Sequence, residues 1–156
     1  WLMGGFIRAQ WSHSILIMPY MIVGVSFILG YSRVLNTMQL EGYYAESLGV
    51  NTEKTKRILI VSATLVTATA VSFSGLIGFV GLIAPHMIRL LWGTDYRTLL
   101  PLSALAGAAF LILADLTART IVSPIELPVG IITALVGSPF FVYVLLKTKG
   151  SSVDGY

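Results

Sequence analysis

Cysteine is missing altogether from these 156 residues. No disulfide and no thiolate metal site can form, and the redox compartment cannot be read from the chain. Charge is scarce as well: 11% of the residues are Asp, Glu, Lys or Arg, against about 25% in an ordinary soluble domain. Hydrophobic residues make up 56%, and mean hydropathy is +0.85. A surface so poor in charge could not be kept in water, so the chain is an integral membrane protein. The net charge of +3 is small and its members are scattered, which argues against nucleic acid as a partner. Catalytic signatures are absent too. There is no glycine-rich loop ending in Gly-Lys-Ser/Thr, no His-Glu-x-x-His, no Gly-x-Ser-x-Gly and no pair of acids at helical spacing. The Gly75, Gly78 and Gly81 series is no dinucleotide fingerprint, because no βαβ unit can form around it. An enzyme has no nucleophile or ligand cluster here, and no cofactor or metal is expected on this chain.

What the sequence does have is long apolar runs. Ile15 to Tyr31 is uncharged and lies between His13 and Arg33. A crossing of about 30 Å needs roughly 20 helical residues, so a span is expected over 13–32, kinked near Pro19. Between Arg57 and Arg89 there is no Asp, Glu, Lys or Arg. As one helix that stretch would run to roughly 50 Å, too long for a single crossing. The chain has to break, and Ser74-Gly75, Gly78 and Gly81 are the expected places. Spans are therefore expected over 54–73 and 78–92. Two more follow, over 99–117 and 127–146. The first of these holds "ALAGAA", small residues of the kind that let membrane helices approach closely. The last span runs into "KTKGSSVDGY", of which residues 150–156 read as a flexible tail. The opening Trp1 and the apolar "WLMGGF" read as the end of an earlier segment, so a longer parent protein is expected.

The most polar stretch is "RVLNTMQLEGYYAESLGVNTEKTKR", residues 33–57. It can be a solvated loop with an incidental amphipathic turn, or two short helical pieces meeting at Leu48-Gly49-Val50. In the second reading Gly49 ends one piece, Asn51 or Thr52 caps the next helix, and Glu53 sits in its first turn. Basic residues collect at one side of the expected bundle: Arg33, Lys54, Lys56, Arg57, Arg89, Arg97, Lys147 and Lys149, against Arg8 and Arg119 on the other. That bias orients the 33–57 loop and the C-terminus toward the cytoplasm.

Three ionisable residues at membrane depth require an explanation: His86, Arg89 and Asp115. One reading makes them a polar relay of an ion-gradient-driven transporter or channel. Metal ligation by His86 is a poorer one, since the only other histidine is His13 on a different segment. The structural reading has His86 and Arg89 bonded to backbone carbonyls freed by the glycines and Pro85, with Asp115 paired to Arg119 one turn away. It is preferred for each.

Three motifs then point further: "GFVGLIAPHMIR", "LADLTAR" and "ELPVGIITALVGSPFF", with "WLMGGF" and "ESLGVN" in the expected order. From Trp1 to about Lys149 the chain closely resembles the FecCD-type permeases, the membrane subunits of bacterial ABC importers for iron-siderophores, haem and cobalamin. The resemblance implies an all-α integral membrane protein, a bundle of about five transmembrane helices with short cytoplasmic coupling helices. Residues 1–149 would be the C-terminal half of a ten-helix permease of the bacterial cytoplasmic (inner) membrane. It implies a cytoplasmic ABC ATPase that holds the ATP and Mg, a periplasmic or lipid-anchored substrate-binding protein, a second permease subunit forming a homodimer, and membrane lipid as partners. The coupling loop, 33–53, would seat Glu41, Glu46, Ser47, Leu48, Gly49 and Val50 against the ATPase, and the resemblance favours docking there over an idle loop. On the other face Arg119, and from position alone Arg8, would meet acids of the binding protein. Gly78, Gly81 and Pro85 would let the backbone turn and pack closely, and His86 and Arg89 would anchor a short helix without doing chemistry.

Overall fold

A computed structural model describes residues 4–6, 10–39, 51–121 and 127–153. Within them the regular structure is all α-helix: α1 Trp11–Gly30, α2 Ser32–Met38, α3 Thr52–Ser74, α4 Val80–Trp92, α5 Tyr96–Ile121 and α6 Val129–Val153. Four of these, α1, α3, α5 and α6 as far as Leu146, are long and apolar enough to cross a membrane. The fifth expected span, α4, has 13 residues, about 20 Å of helix, short of a full crossing. The irregular segment 75–79 brings the chain to its start.

Helix ends follow from local chemistry. Asn51 caps α3, its Oδ1 accepting the Lys54 N–H at 2.9 Å, and Glu53 lies in the first turn, 3.8 Å from Arg57. Replacing Asn51 by alanine is expected to cost about 1 kcal/mol, read as a lower unfolding temperature of the detergent-solubilised protein. The far ends of α3 and α4 are closed by Gly75 (φ 70°, ψ −172°) and Gly93 (φ 85°, ψ −162°), a backbone region essentially confined to glycine. The expected break at Ser74-Gly75 is therefore present.

The rest of that turn departs from expectation. Gly78 and Gly81 have open space where a Cβ would stand, among the described residues, and α4 runs straight through Gly81 and Pro85. The second bend of the turn is made by Phe79, at φ 67°, and its ring lies over Gly137 of α6. The glycines that permit close contact are others. Gly24 brings α1 against Val66 and the Ser62 carbonyl of α3, and Gly107 of α5 takes Val80 and Ala84 of α4.

Only Gly24 is buried along the 20 residues of α1. Its less exposed positions, His13, Ile17, Met21, Gly24 and Ile28, recur at helical spacing and form the one stripe that meets α3. Along α5 the buried positions are Leu99, Gly107, Ala114 and Ala118, again one stripe. Ala114 and Ala118 close on Val129, with Phe6, Leu111, Leu127 and Ile132 around them. Backbone bonds finish that end of the bundle: Gly4 N–H to the Leu76 carbonyl (3.0 Å), Gly5 N–H to Ser74 (2.8 Å) and Gly130 N–H to Gly4 (3.1 Å). Outward-facing Leu105, Ile112 and Leu135 are each about two-thirds exposed, which lipid tolerates and water would not.

Two further differences concern boundaries. Residues 33–38, expected at the start of a polar loop, form α2 together with Ser32, and α2 packs on α5. At the other end α6 continues to Val153, beyond the 146 boundary and into the stretch read as a flexible tail. Gly150 weakens a helix by only about 1 kcal/mol relative to alanine, and no proline follows to stop it.

Candidate coupling and docking sites

Glu41, Glu46, Ser47, Leu48, Gly49 and Val50 lie outside the described residues, as does Arg8. The two helices that flank the coupling segment are described: α2 leads into it and α3 leaves it.

The α2 side is held by a polar clamp. Asn36 Nδ2 donates to Asp95 Oδ1 at 2.6 Å, and Asn36 Oδ1 accepts the Tyr96 N–H at 2.8 Å. Gln39 Nε2 donates to the Thr94 carbonyl at 3.0 Å. Asp95 Oδ1 also accepts the Arg97 N–H at 2.9 Å, and the Asp95 carbonyl accepts the Leu99 N–H at 2.8 Å. Asp95 is thereby the N-terminal cap of α5. The Arg97 N–H first, and the Asn36 amide second, hold the Asp95 carboxyl below the usual carboxylate range against a small opposing effect of desolvation. Because its folded value lies below the unfolded one, its stabilising contribution is complete above the ordinary carboxylate range. It is lost only as pH falls through the depressed value. At neutral pH the clamp is constant.

These residues escaped the sequence reading. Asn36 and Asp95 are 59 positions apart, and no periodicity links them. One signal was available: Asp95 two residues ahead of "RTLLPL" is the usual chemistry of a helix start.

At the opposite end of α5, Arg119 Nε donates to Asp115 Oδ2 at 2.8 Å, the expected i,i+4 pair. The guanidinium stays about half exposed and lies in the last turn, where a cation suits the helix dipole. His86 stands edge-on to the Phe140 ring of α6, with centroids 5.6 Å apart. That ring contact takes the place of the expected bond to a freed carbonyl. Arg89 is exposed on α4. Among the described residues no hydrogen bond or ion pair joins His86, Arg89 and Asp115, and none comprise a group of three or more His, Asp or Glu able to hold a metal. A cavity of about 670 Å³ between α1, α3 and the start of α4 has Gln10 and His13 among its polar lining and includes none of those three.

Apolar helices that expose their greasy faces, close on glycine and alanine and confine their polar bonds to the two ends define a multi-pass membrane protein. The chain belongs to the FecCD transport family, which matches residues 1–147. It is 50% identical over 145 residues to the cobalamin import system permease protein BtuC of Halobacterium salinarum, covering 93% of this chain and 39% of that protein. To the hemin transport system permease protein HmuU of Yersinia pestis it is 47% identical over 154 residues, covering 96% and 45%. A solved structure described as an inward-facing ABC transporter of metal-chelate type superposes with a TM-score of 0.87 at 35% identity, over 94% of this chain and 49% of that one. The chain thus spans less than half the length of each of these relatives.

Proposed function

We propose that this chain is the C-terminal half of the permease subunit of a binding-protein-dependent ABC importer, carrying ferric siderophore, haem or cobalamin across the bacterial cytoplasmic membrane. The observation that carries the reading is the family match over 1–147, joined to close similarity with permeases named for cobalamin and hemin. In this reading the parent permease pairs with a second copy, and the loop and the C-terminus face the cytoplasm, as the basic residues suggest. ATP and Mg belong to the partner ATPase. Closure of the ATPase dimer displaces residues 38–53, with Leu48-Gly49-Val50 at the contact, and the attached helices shift as rigid bodies to open the path first outward and then inward. The binding protein docks at the opposite face near Arg119.

The test uses the full-length permease co-expressed with its ATPase. The wild type is expected to retain the ATPase through purification. The Leu48→Asp, Gly49→Asp pair is expected to lose it, because two buried unpaired carboxylates at a protein interface cost several kcal/mol. Retention by the double variant would remove the coupling assignment.

A further inference from the structure

In sequence, residues 40–50 are flanked by two helical stems. One is α3, which packs along α1. The other is α2, which has one buried residue, Ser32, and leans on α5. Its end is tied to the turn ahead of α5 by side-chain hydrogen bonds. Asn36 uses both ends of its amide at once, donating to Asp95 Oδ1 and accepting from Tyr96 N–H, so the side chain cannot turn without breaking a bond. Gln39, at the start of the coupling segment, adds its bond to the Thr94 carbonyl. All of these partners belong to Thr94–Tyr96, the turn that joins α4 to α5. The turn is closed on both sides: Gly93 ends α4, Asp95 caps α5, and Leu99 one turn later is 3% exposed.

The energetics separate coupling from folding. Asp95 and Gln39 are exposed and Asn36 is half-buried, and a hydrogen bond open to water contributes little net stability. Such bonds add little to the stability of a bundle whose helices close on Gly24, Gly107 and Ala118. What they fix is position: they tie the α2 stem to α5 across sequence separations of 59 and 60. We propose that Asn36 and Asp95, assisted by Gln39, are positioning residues for transport that hold the stem of the coupling segment to the α4–α5 turn. A displacement of residues 40–50 then drives α4 and α5 together with α1 and α3. Without the clamp α2 slides on α5, and the push reaches only half of this bundle. This inference rests on the coupling role proposed above for the same segment.

The test is an exchange of charge in the full-length permease, reconstituted in liposomes with its ATPase and binding protein. ATP hydrolysis is measured alongside uptake of radio-iron hydroxamate siderophore, haemin and radio-cobalt cobalamin, each offered in turn. Asn36→Asp sets one carboxylate against another where a bond stood. The ATPase is expected to co-purify as with the wild type and hydrolysis to continue, while molecules transported per ATP fall about tenfold, within the usual range of inter-site coupling. The double variant Asn36→Asp, Asp95→Asn faces an amide with a carboxylate again, in reversed order. Tyr96 N–H keeps its acceptor, while Arg97 N–H, which shares Asp95 Oδ1 with the Asn36 bond, must find the oxygen of a turned amide, so the ratio is expected to recover in part toward the wild-type value. Should Asn36→Asp fail to accumulate, Asn36→Ala, which leaves its partners to water, carries the same expectation. An unchanged ratio in the single variant overturns the inference, as does a double variant no better than the single one. A proportional loss of hydrolysis and uptake would mark the clamp as merely structural. If the wild-type permease holds no ATPase at all, the coupling reading itself fails and the clamp falls with it.

Discussion

Gly137→Leu is expected to leave no folded permease in the membrane, and Gly137→Ala to lower the unfolding temperature in detergent by about 1–5 °C, from an overpacking cost of roughly 1–3 kcal/mol. The cause is the position of Phe79. A methyl group on Gly137 would meet the Cβ and Cγ of Phe79, the stiff root of that side chain and not its movable tip. The residue cannot step aside cheaply, because it already holds a left-handed backbone, at φ 67°, as the lead-in to α4. That conformation costs a bulky residue roughly 1–2 kcal/mol and persists only where packing over-determines it. A double variant separates the contributions. Phe79→Gly relieves the backbone and vacates the space, so Phe79→Gly, Gly137→Ala should be clearly more stable than the sum of the two single changes. Additivity, or a Gly137→Ala protein as stable as the wild type, would show that the ring does not sit there in the membrane.

Arg119→Glu should weaken binding-protein docking to the permease about a hundredfold, near 2.8 kcal/mol. Two effects combine. The reversed charge would face the acids that the proposed function brings to this end of the bundle, and like charges across an interface cost several kcal/mol. It would also stand one turn from Asp115, whose carboxylate is 24% exposed and now takes the Arg119 Nε at 2.8 Å. Asp115→Asn separates the two. It frees the guanidinium without removing it, so docking should hold or strengthen. Affinities of the purified binding protein for the three permeases in nanodiscs, at two salt concentrations, decide the matter. Equal affinities for the wild type and Arg119→Glu would place docking elsewhere.

The local features of this protein were readable residue by residue. Asn51 as a cap, Gly75 as a helix stop and Asp115 with Arg119 one turn apart depend on neighbours within four positions, and each is found where the sequence puts it. Long-range features were not. Gly78, Gly81 and Pro85 stand in a conspicuous motif, yet the sharp turn belongs to Gly75 and Phe79, and close contact to Gly24, Gly107 and Gly137. His86 was expected to seek a carbonyl and instead meets Phe140 on a helix more than fifty positions away. Asn36 and Gln39 looked like ordinary loop polarity until the α4–α5 turn came up beside them.

By itself the sequence determined the membrane class, the existence of the helices and several of their ends. Charge-free runs have nowhere to go but hydrocarbon, and each spanning backbone must bond to itself. Which faces of those helices touch was decided only by the tertiary structure. Lipid tails are as apolar as leucine, so hydrophobicity cannot tell a residue that faces lipid from one that faces a neighbouring helix. The choice rests on shape: a glycine matters where a Phe79 or a Val66 arrives to fill its place, and that arrival is a property of the assembled bundle.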